Sequence, residues 1–394
     1  MTARGLDSCT LPSVSGETWT IVGIAVAVVF AVVGLVLVLQ SREPGRHADP
    51  GTRPSRDAFR QGEAPEPPPR KRAAVVVNPT KFEDLDEVHE KLKKVCAEHD
   101  WDDPLFLETT KDDVGFGQTR EALEQGVDLV CALGGDGTVR AVGEELVGTD
   151  VPFGLLPGGT GNLLARNLLL PVDDLEKAMA VALTGRNRRI DVAWMVLDED
   201  DESLELEEGA GANSSSGPRK HAFFVMAGLG LDAAIMDSTS EELKKRIGWA
   251  AYVPSGFSHW LGDRFTTTVA IDGGAEETKR ARMVVIGNCG KITGGIELMP
   301  DAEPDDGLLD LIVLAPRGVA AWASVAARVV TRSDRTSSDL SRSKCTAATV
   351  RVDEKQRVQL DGDIIGEASR LAVEIEPRAV VVRTEVGKNG SPTS

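Results

Sequence analysis

Residues Asp128–Asn162 read DLVCALGGDGTVRAVGEELVGTDVPFGLLPGGTGN, and this stretch decides the fold. An apolar run, Asp128–Leu133, leads into Gly134-Gly135-Asp136-Gly137-Thr138, and helical spacing follows over Val139–Val147. A second apolar run, Val151–Leu156, leads into Pro157-Gly158-Gly159-Thr160-Gly161-Asn162 and a helix through Asn167. Upstream, the β-branched run Ala73–Val77 ends in Asn78-Pro79-Thr80. It precedes a helical pattern over Phe82–Glu98, with Leu85, Val88, Leu92 and Val95 at three-to-four spacing. Near-continuous apolar strands alternating with helices predict a parallel sheet with helices on both faces.

Ligands of such sheets bind beyond the carboxyl ends of the strands, and all three polar loops fall at that edge. Gly134, Gly135 and Gly137 let backbone N–H groups turn toward an anion without a Cβ in the way. Helices starting near Thr138 and Asn162 would add positive dipole ends. Thr138 and Thr160 are expected to cap those helices and to donate to a phosphate oxygen. For either loop alone, glycines that merely make tight turns explain the pattern equally well. Two such loops on adjacent strands, one of them enclosing Asp136, favour phosphate binding. No G-x-x-x-x-G-K-[ST] motif occurs, and neither loop contains a lysine. Backbone amides, hydroxyls and a metal would then hold the phosphates, with Asp136 a candidate to organise Mg²⁺.

The second half changes period. Arg189–Leu197, His221–Met226, Phe265–Ile271, Arg282–Ile286, Leu308–Leu314, Val350–Val352 and Ala372–Ile375 are short alternating runs, which predict an antiparallel β-sandwich. Asp361-Gly362-Asp363 places two carboxylates around one glycine. It reads either as an Asp-Gly hairpin turn or as an acid–base pair able to take a proton from a hydroxyl.

The chain has 394 residues, enough for two domains, and a net charge of −18. Such acidity, with only 4% aromatic residues, argues against a nucleic-acid partner, which needs a basic or stacking face. The five cysteines show no metal-clip spacing and read as small buried hydrophobes. Ile21–Leu39 is an uncharged apolar run of transmembrane length, and basic residues follow it from Arg42 to Arg72. These flanks predict a single-pass membrane protein: a short extracytoplasmic tail over 1–20, a transmembrane helix over 21–39, a flexible Pro- and Gly-rich linker over 40–72, and a cytoplasmic catalytic part. The acid-rich stretch Asp198–Glu208 and the small residues after it read as a solvated insertion. Leu243–Leu261 mixes cations with aromatics and suits either a bilayer surface or core packing. Arg317–Arg332 holds a helical pattern with an apolar face.

Taken in order, Asn78-Pro79, Gly-Gly-Asp-Gly-Thr at 134–138 and Pro-Gly-Gly-Thr-Gly-Asn at 157–162 resemble the diacylglycerol kinase catalytic family. That family also includes sphingoid-base and ceramide kinases. Gly228 to Ala233, Leu243 to Tyr252, Gly287-Asn288, Gly294-Gly295, Met299 to Ala302, Asp305 to Asp310 and Gln359 to Asp363 extend the likeness over about 73–376. The resemblance implies a doubly wound α/β nucleotide-binding domain over 73–171 and a β-sandwich lipid-substrate domain over 172–376. A C-terminal segment, 377–394, can return to the first domain.

It further implies ATP and Mg²⁺ as cofactors and diacylglycerol in a membrane as the phosphate acceptor. A sphingoid base, ceramide or a glycolipid is the alternative acceptor; an NAD kinase or an inactive nucleotide sensor is less favoured. A homodimer is left open. Asp363 matches the proton acceptor and Asp361 its partner. The nucleotide residues are Asn78, Pro79, Thr80, Thr109, Gly134, Gly135, Asp136, Gly137, Thr138, Gly158, Gly159, Thr160, Gly161 and Asn162. A structural Mg²⁺ is expected on Asp306, the Leu308 carbonyl and Glu303. The chain departs from the family pattern at Asp363, usually Glu, at Arg140 and Ala141, often Asn and Glu, and at Leu163, often Asp.

Overall fold

Strand β1 (Ala73–Val77) is apolar at every position, and every residue in it is buried. Such a strand must be covered on both faces. Ala74 and Val76 enter one core, while Ala73, Val75 and Val77 enter another. The computed structural model describes residues 70–197, 220–230, 264–292, 297–317 and 339–386, together with Ala321 and Ser324. The Ile21–Leu39 run, most of the linker, the 198–217 insertion, Asp232, 243–261, Gly294-Gly295 and most of 317–332 lie outside those residues.

Strands β2 (Leu105–Glu108), β3 (Leu129–Gly134) and β4 (Phe153–Pro157) join β1 in parallel, in the order β2-β1-β3-β4. Helices α1 (Leu85–Glu98) and α5 (Leu175–Thr184) cover one face through Val88, Leu92, Ala178 and Met179. Helices α2 (Phe116–Glu124) and α3 (Asp136–Glu145) cover the other through Ala122, Val139 and Val142. A short helix, α4 (Leu163–Asn167), follows the second glycine loop. Helix α1 starts at Leu85 rather than Phe82 because Asp84 accepts from Glu87 N at 2.9 Å and caps it there. The preceding residues Pro79–Lys81 form a separate 3-10 turn.

The second half is antiparallel: β5 (Arg186–Leu197), β6 (Lys220–Phe223), β7 (Met226–Leu229), β8 (Phe265–Ile271), β9 (Glu277–Ala281), β10 (Met283–Gly287), β11 (Leu309–Leu314), β12 (Leu340–Cys345), β13 (Ala347–Leu360) and β14 (Asp363–Thr384). The ladder runs β12-β11-β10-β7-β13-β14, with β8 and β9 added on β13, and β5 and β6 on β14. Alternate residues of these strands close a core of their own, among them Met195, Phe223, Leu229, Ile286, Leu311, Val350 and Leu371. The expected His221–Met226 strand is in fact two, β6 and β7. Phe224, Val225 and Met226 turn their N–H groups onto a side chain instead of the ladder.

Strand β14 is the spine. It pairs with β13 along its first part and with β5 along its second, and it meets β4 in parallel at Val382–Phe153. One sheet therefore runs through both halves. The apolar core follows it, since Met283, Val285 and Leu314 share a cluster with Phe153 and Leu164.

The single-pass membrane placement expected from the sequence is corrected. No helix among the described residues is long and apolar enough to cross a membrane. An uncharged run of spanning length is a statement about composition, and no spanning helix among the described residues supports it.

Candidate active site

Three chain turns meet at the carboxyl end of the parallel sheet. Asn78 N donates to Leu133 O at 2.9 Å, tying the end of β1 to the end of β3. Its Oδ1 accepts from Thr80 N at 3.1 Å and Thr80 Oγ1 at 2.7 Å, which closes the Pro79–Lys81 turn. Thr109 lies beside it, buried, with its N–H on Val77 O at 2.8 Å. Gly158 N donates to Gly134 O at 3.1 Å, so the two glycine loops touch through backbone.

The glycines divide into two groups. A methyl group on Gly134 would stand 2.6 Å from Thr138 Oγ1, and one on Gly159 only 2.7 Å from Gly135 Cα. One on Gly158 would meet Gly134 N and the Phe82 ring at 3.0 Å, and Gly161 is closed off by the Asp136 carboxylate. These four are required by packing. Gly135 and Gly137 are different. The atom nearest a methyl on Gly135 is Lys81 Cε at 4.0 Å, and on Gly137 it is Asp363 Oδ2 at 3.1 Å. Gly135 is thus open toward Lys81, while Gly137 lies directly under the Asp363 carboxylate.

Helix α3 begins at Asp136, three residues earlier than its apolar spacing indicated. Its N-cap is Gly135, and no side chain caps it. Thr138 is therefore buried within the first turn rather than standing as its cap. The first-turn N–H groups are left for a ligand. Asn162 is the N-cap of α4 in the left-handed region, φ 47°, with its side chain on Gly159 N and O at 3.2 and 2.8 Å. Thr160 stays exposed at the loop tip.

Asp136 Oδ1 accepts from Leu163 N at 2.6 Å, so its carboxylate ties the first loop to the helix after the second. Burial, helped by Asp361 and Asp363, pushes its pKa up to about 6, against the pull of that N–H.

Asp361 and Asp363 share a hairpin and differ in everything else. Leu360 pairs with Asp363, so Asp361-Gly362 is a two-residue turn with φ of 47° and 99°. The Asp361 side chain is buried. Its oxygens accept from Phe224, Val225 and Met226 N–H at 3.0, 2.9 and 2.9 Å. Burial pushes this carboxyl up, and the three N–H groups and Arg140 act against it. Asp363 is half exposed, lies over the first turn of α3, and has Arg140 Nη2 3.4 Å away.

Two cations stand at the site: Arg140, named from the sequence only as a departure from the family pattern, and Lys81, which the sequence reading did not single out. Arg140 of α3 also donates to Leu360 O at 3.1 Å, bridging the two halves. Lys81 comes from the Pro79–Lys81 turn rather than from a glycine loop, and its Cε lies 4.0 Å from where a methyl on Gly135 would stand.

The Asp305–Asp310 loop does not fit the expected divalent cation. Asp305 is held bidentate by Arg188 at 2.8 Å on both oxygens. Asp306 Oδ2 accepts from Lys344 Nζ at 3.0 Å, and its Oδ1 accepts from Leu308 N at 3.0 Å. Glu303 is exposed, and no group of three or more His, Cys, Asp or Glu among the described residues is arranged to hold a metal ion. Burial works against the charge of Lys344, yet Asp306 and Asp310 hold its pKa above the ordinary value. Cys96, Cys131, Cys289 and Cys345 are free and buried, and burial pushes their thiols up.

A cradle of backbone N–H groups on α/β loops, faced by one exposed carboxylate from a β-rich half, is an arrangement suited to phosphoryl transfer. Residues 72–195 match the diacylglycerol kinase catalytic domain, and 225–384 match the YegS C-terminal NAD kinase beta sandwich-like domain. The chain is 26% identical over 302 residues to a diacylglycerol kinase of Bacillus subtilis, covering 75% of this chain and 91% of that protein. It is 34% identical over 202 residues to a probable lipid kinase YegS-like of Pseudomonas fluorescens, covering 50% of this chain and 58% of the relative. A crystal structure of a diacylglycerol kinase from Bacillus anthracis shares the fold, with a TM-score of 0.56 at 20% identity, over 80% of this chain and 97% of that one. Residues 72–195 thus carry a diacylglycerol kinase catalytic domain, and residues 225–384 a YegS-type C-terminal domain. These matches make the chain a lipid kinase of the diacylglycerol kinase and YegS type, and a kinase of that type implies the use of ATP.

Proposed function

We propose that the enzyme transfers the γ-phosphate of ATP to the hydroxyl of diacylglycerol, giving phosphatidic acid and ADP. The observation that carries this reading is Asp363: a half-exposed carboxylate whose Oδ2 lies over Gly137, at the open face of the N–H cradle. The acceptor oxygen attacks the γ-phosphorus, the bond to the β,γ-bridging oxygen breaks, and the hydroxyl proton passes to Asp363. Asp361 is unsuited to that step, because its oxygens already accept three backbone N–H groups. Its role is to hold the hairpin. Gly135, Gly137, Thr138 and Thr160 line the phosphate position, and Lys81 adds a charge beside it. Bound together with ATP, Mg²⁺ would neutralise charge on the phosphates. Residues 73–171 would bind the nucleotide and 172–376 the lipid, with the end of β14 closing the α/β sheet. The name of the Bacillus subtilis relative, which the chain covers almost throughout, favours diacylglycerol over other lipids.

The test is transfer of labelled γ-phosphate to a panel of diacylglycerol, sphingoid base, ceramide, glycolipid and NAD, with Asp363→Asn alongside. Labelled phosphatidic acid, lost in the variant, is expected. Transfer to a different member alone would replace the acceptor; transfer to none would overturn the reading.

A further inference from the structure

We propose that Arg140 is a positioning residue, a clamp that holds the proton acceptor Asp363 over the phosphate cradle; this rests on the function proposed above. Arg140 lies on α3, one turn after the glycine loop. Its guanidinium reaches the hairpin of the other half in two places, donating to Leu360 O at 3.1 Å and standing 3.4 Å from Asp363 Oδ2. Behind the same hairpin, Asp361 is fastened to the Phe224–Met226 backbone, and Asp361 N donates to Met226 O at 2.8 Å. Asp363 is thus held between an anchor and a clamp. Cradle and clamp share the first turns of one helix, so a single side chain sets the distance from base to phosphate. A planar guanidinium can grip a carbonyl and a carboxylate together. An ammonium holds one point well, and a neutral amide brings no charge.

The experiment compares the parent with Arg140→Gln, Arg140→Lys, Asp363→Asn and the double variant R140Q/D363N, all full chain, with ATP and dioctanoylglycerol in detergent micelles. Arg140→Gln should lower kcat by up to about 10²-fold, the effect of misplacing a reacting group by roughly 1 Å, with KM for ATP and Tm close to the parent. Arg140→Lys should recover part of the loss. In the Asp363→Asn background, Arg140→Gln should cost little more, because the clamp acts through the base. A kcat near the parent in Arg140→Gln overturns the clamp. So does a double variant whose loss equals the product of the two singles. If Arg140→Gln does not fold, Arg140→Lys decides: full parent kcat overturns the clamp. An active Asp363→Asn removes the base itself, a separate result that overturns the proposed function.

A different observation carries a second inference: the geometry points to Lys344 as a built-in replacement for a structural divalent cation. Its ammonium donates to Asp301 O at 2.8 Å and Asp306 Oδ2 at 3.0 Å, and stands 3.7 Å from Asp310 Oδ2. Asp310 and Lys344 are cross-strand partners in the β11–β12 ladder, so the register delivers the charge. Asp310 Oδ2 is buried without a hydrogen-bond partner, and Lys344 is the cation beside it. Magnesium needs near-octahedral oxygen ligands at about 2.0–2.1 Å, which an ammonium on the same carboxylate excludes by charge and space.

Thermal melts of the full chain without nucleotide test this. Mg²⁺ and EDTA should leave the parent Tm unchanged, and Lys344→Met should lower it. A Mg²⁺-dependent rise in the parent Tm that disappears in Asp306→Asn overturns the inference, as does a Lys344→Met protein that melts with the parent. If Lys344→Met does not fold, the parent melt decides.

Discussion

The glycine loops of the α/β half and the acidic turns of the β half use the same device for opposite ends. Asp136 ties one glycine loop to the next by accepting from Leu163 N, and Asp361 ties the hairpin to Phe224–Met226 in the same way. In the first region this internal fastening leaves the first-turn N–H groups of α3 facing the cleft. In the second it consumes the backbone donors and leaves one carboxylate, Asp363, at the surface. A donor-lined wall opposite a lone acceptor is what phosphate on one side and a reacting hydroxyl on the other require. A buried acid is therefore no evidence of catalysis until its oxygens are accounted for.

The sharpest way to break this comparison is the hairpin itself. Asp363→Asn should lower turnover by about 10²–10⁴-fold, the usual loss of a general base, with ATP affinity and Tm nearly unchanged. Asp363→Glu should keep substantial activity. Steady-state kinetics with a parallel melt checks both.

Asp361→Ala should behave in the opposite way. It strands three N–H groups, which costs about 1–3 kcal/mol for each donor left buried and unsatisfied. Denaturant unfolding should show the loss directly. If Asp361→Ala is as stable as the parent but inactive, the roles of the two acids are reversed.

Gly159→Ala sharpens the other side. Its methyl would press on Gly135 Cα at 2.7 Å, backbone that can yield only by parting the loops. KM for ATP should rise severalfold with less change in kcat at saturation. An unchanged KM would mean that the loop contact does not shape the nucleotide site.

The smallest effect concerns Asp136. Its folded pKa, about 6, lies above the unfolded value near 3.9, so the native state binds the extra proton. Stability from this group is fully present below about pH 4 and falls as pH rises through about 6. Asp136→Asn keeps an acceptor for Leu163 N and removes the buried charge. Its Tm should match the parent near pH 4 and exceed it at pH 7, as melts at both values will show.

Much of the first half was legible because its signals are local. Five apolar residues in β1, the capped 3.6-period of α1 and the order strand–glycine loop–helix each lie within a few residues of sequence. The units β2–α2 and α5 were missed: β2 spans only four residues, and Gly115 caps α2 without a side chain. In the second half the strand segments were visible, but β9 and β12 were not. Glu277–Ala281 and Leu340–Cys345 are polar edge sequences that pairing alone makes into strands. The membrane placement came from composition over Ile21–Leu39, and the described structure contains no spanning helix to support it.

The sequence by itself determined the parallel sheet, the position of both glycine loops and the presence of two acids around Gly362. Apolar period and glycine spacing are properties of neighbouring residues. Only the tertiary structure decided the surroundings of each acid. Asp361 and Asp363 are two residues apart and chemically identical, and the difference between them is made by residues more than a hundred positions away. Phe224, Val225 and Met226 take the oxygens of one, and Arg140 stands beside the other. In the same way Lys344 meets Asp306 through strand register, where the sequence alone suggested a metal. Burial and hydrogen-bond partners set the chemistry of a carboxylate, and both are supplied by contacts that no local pattern contains.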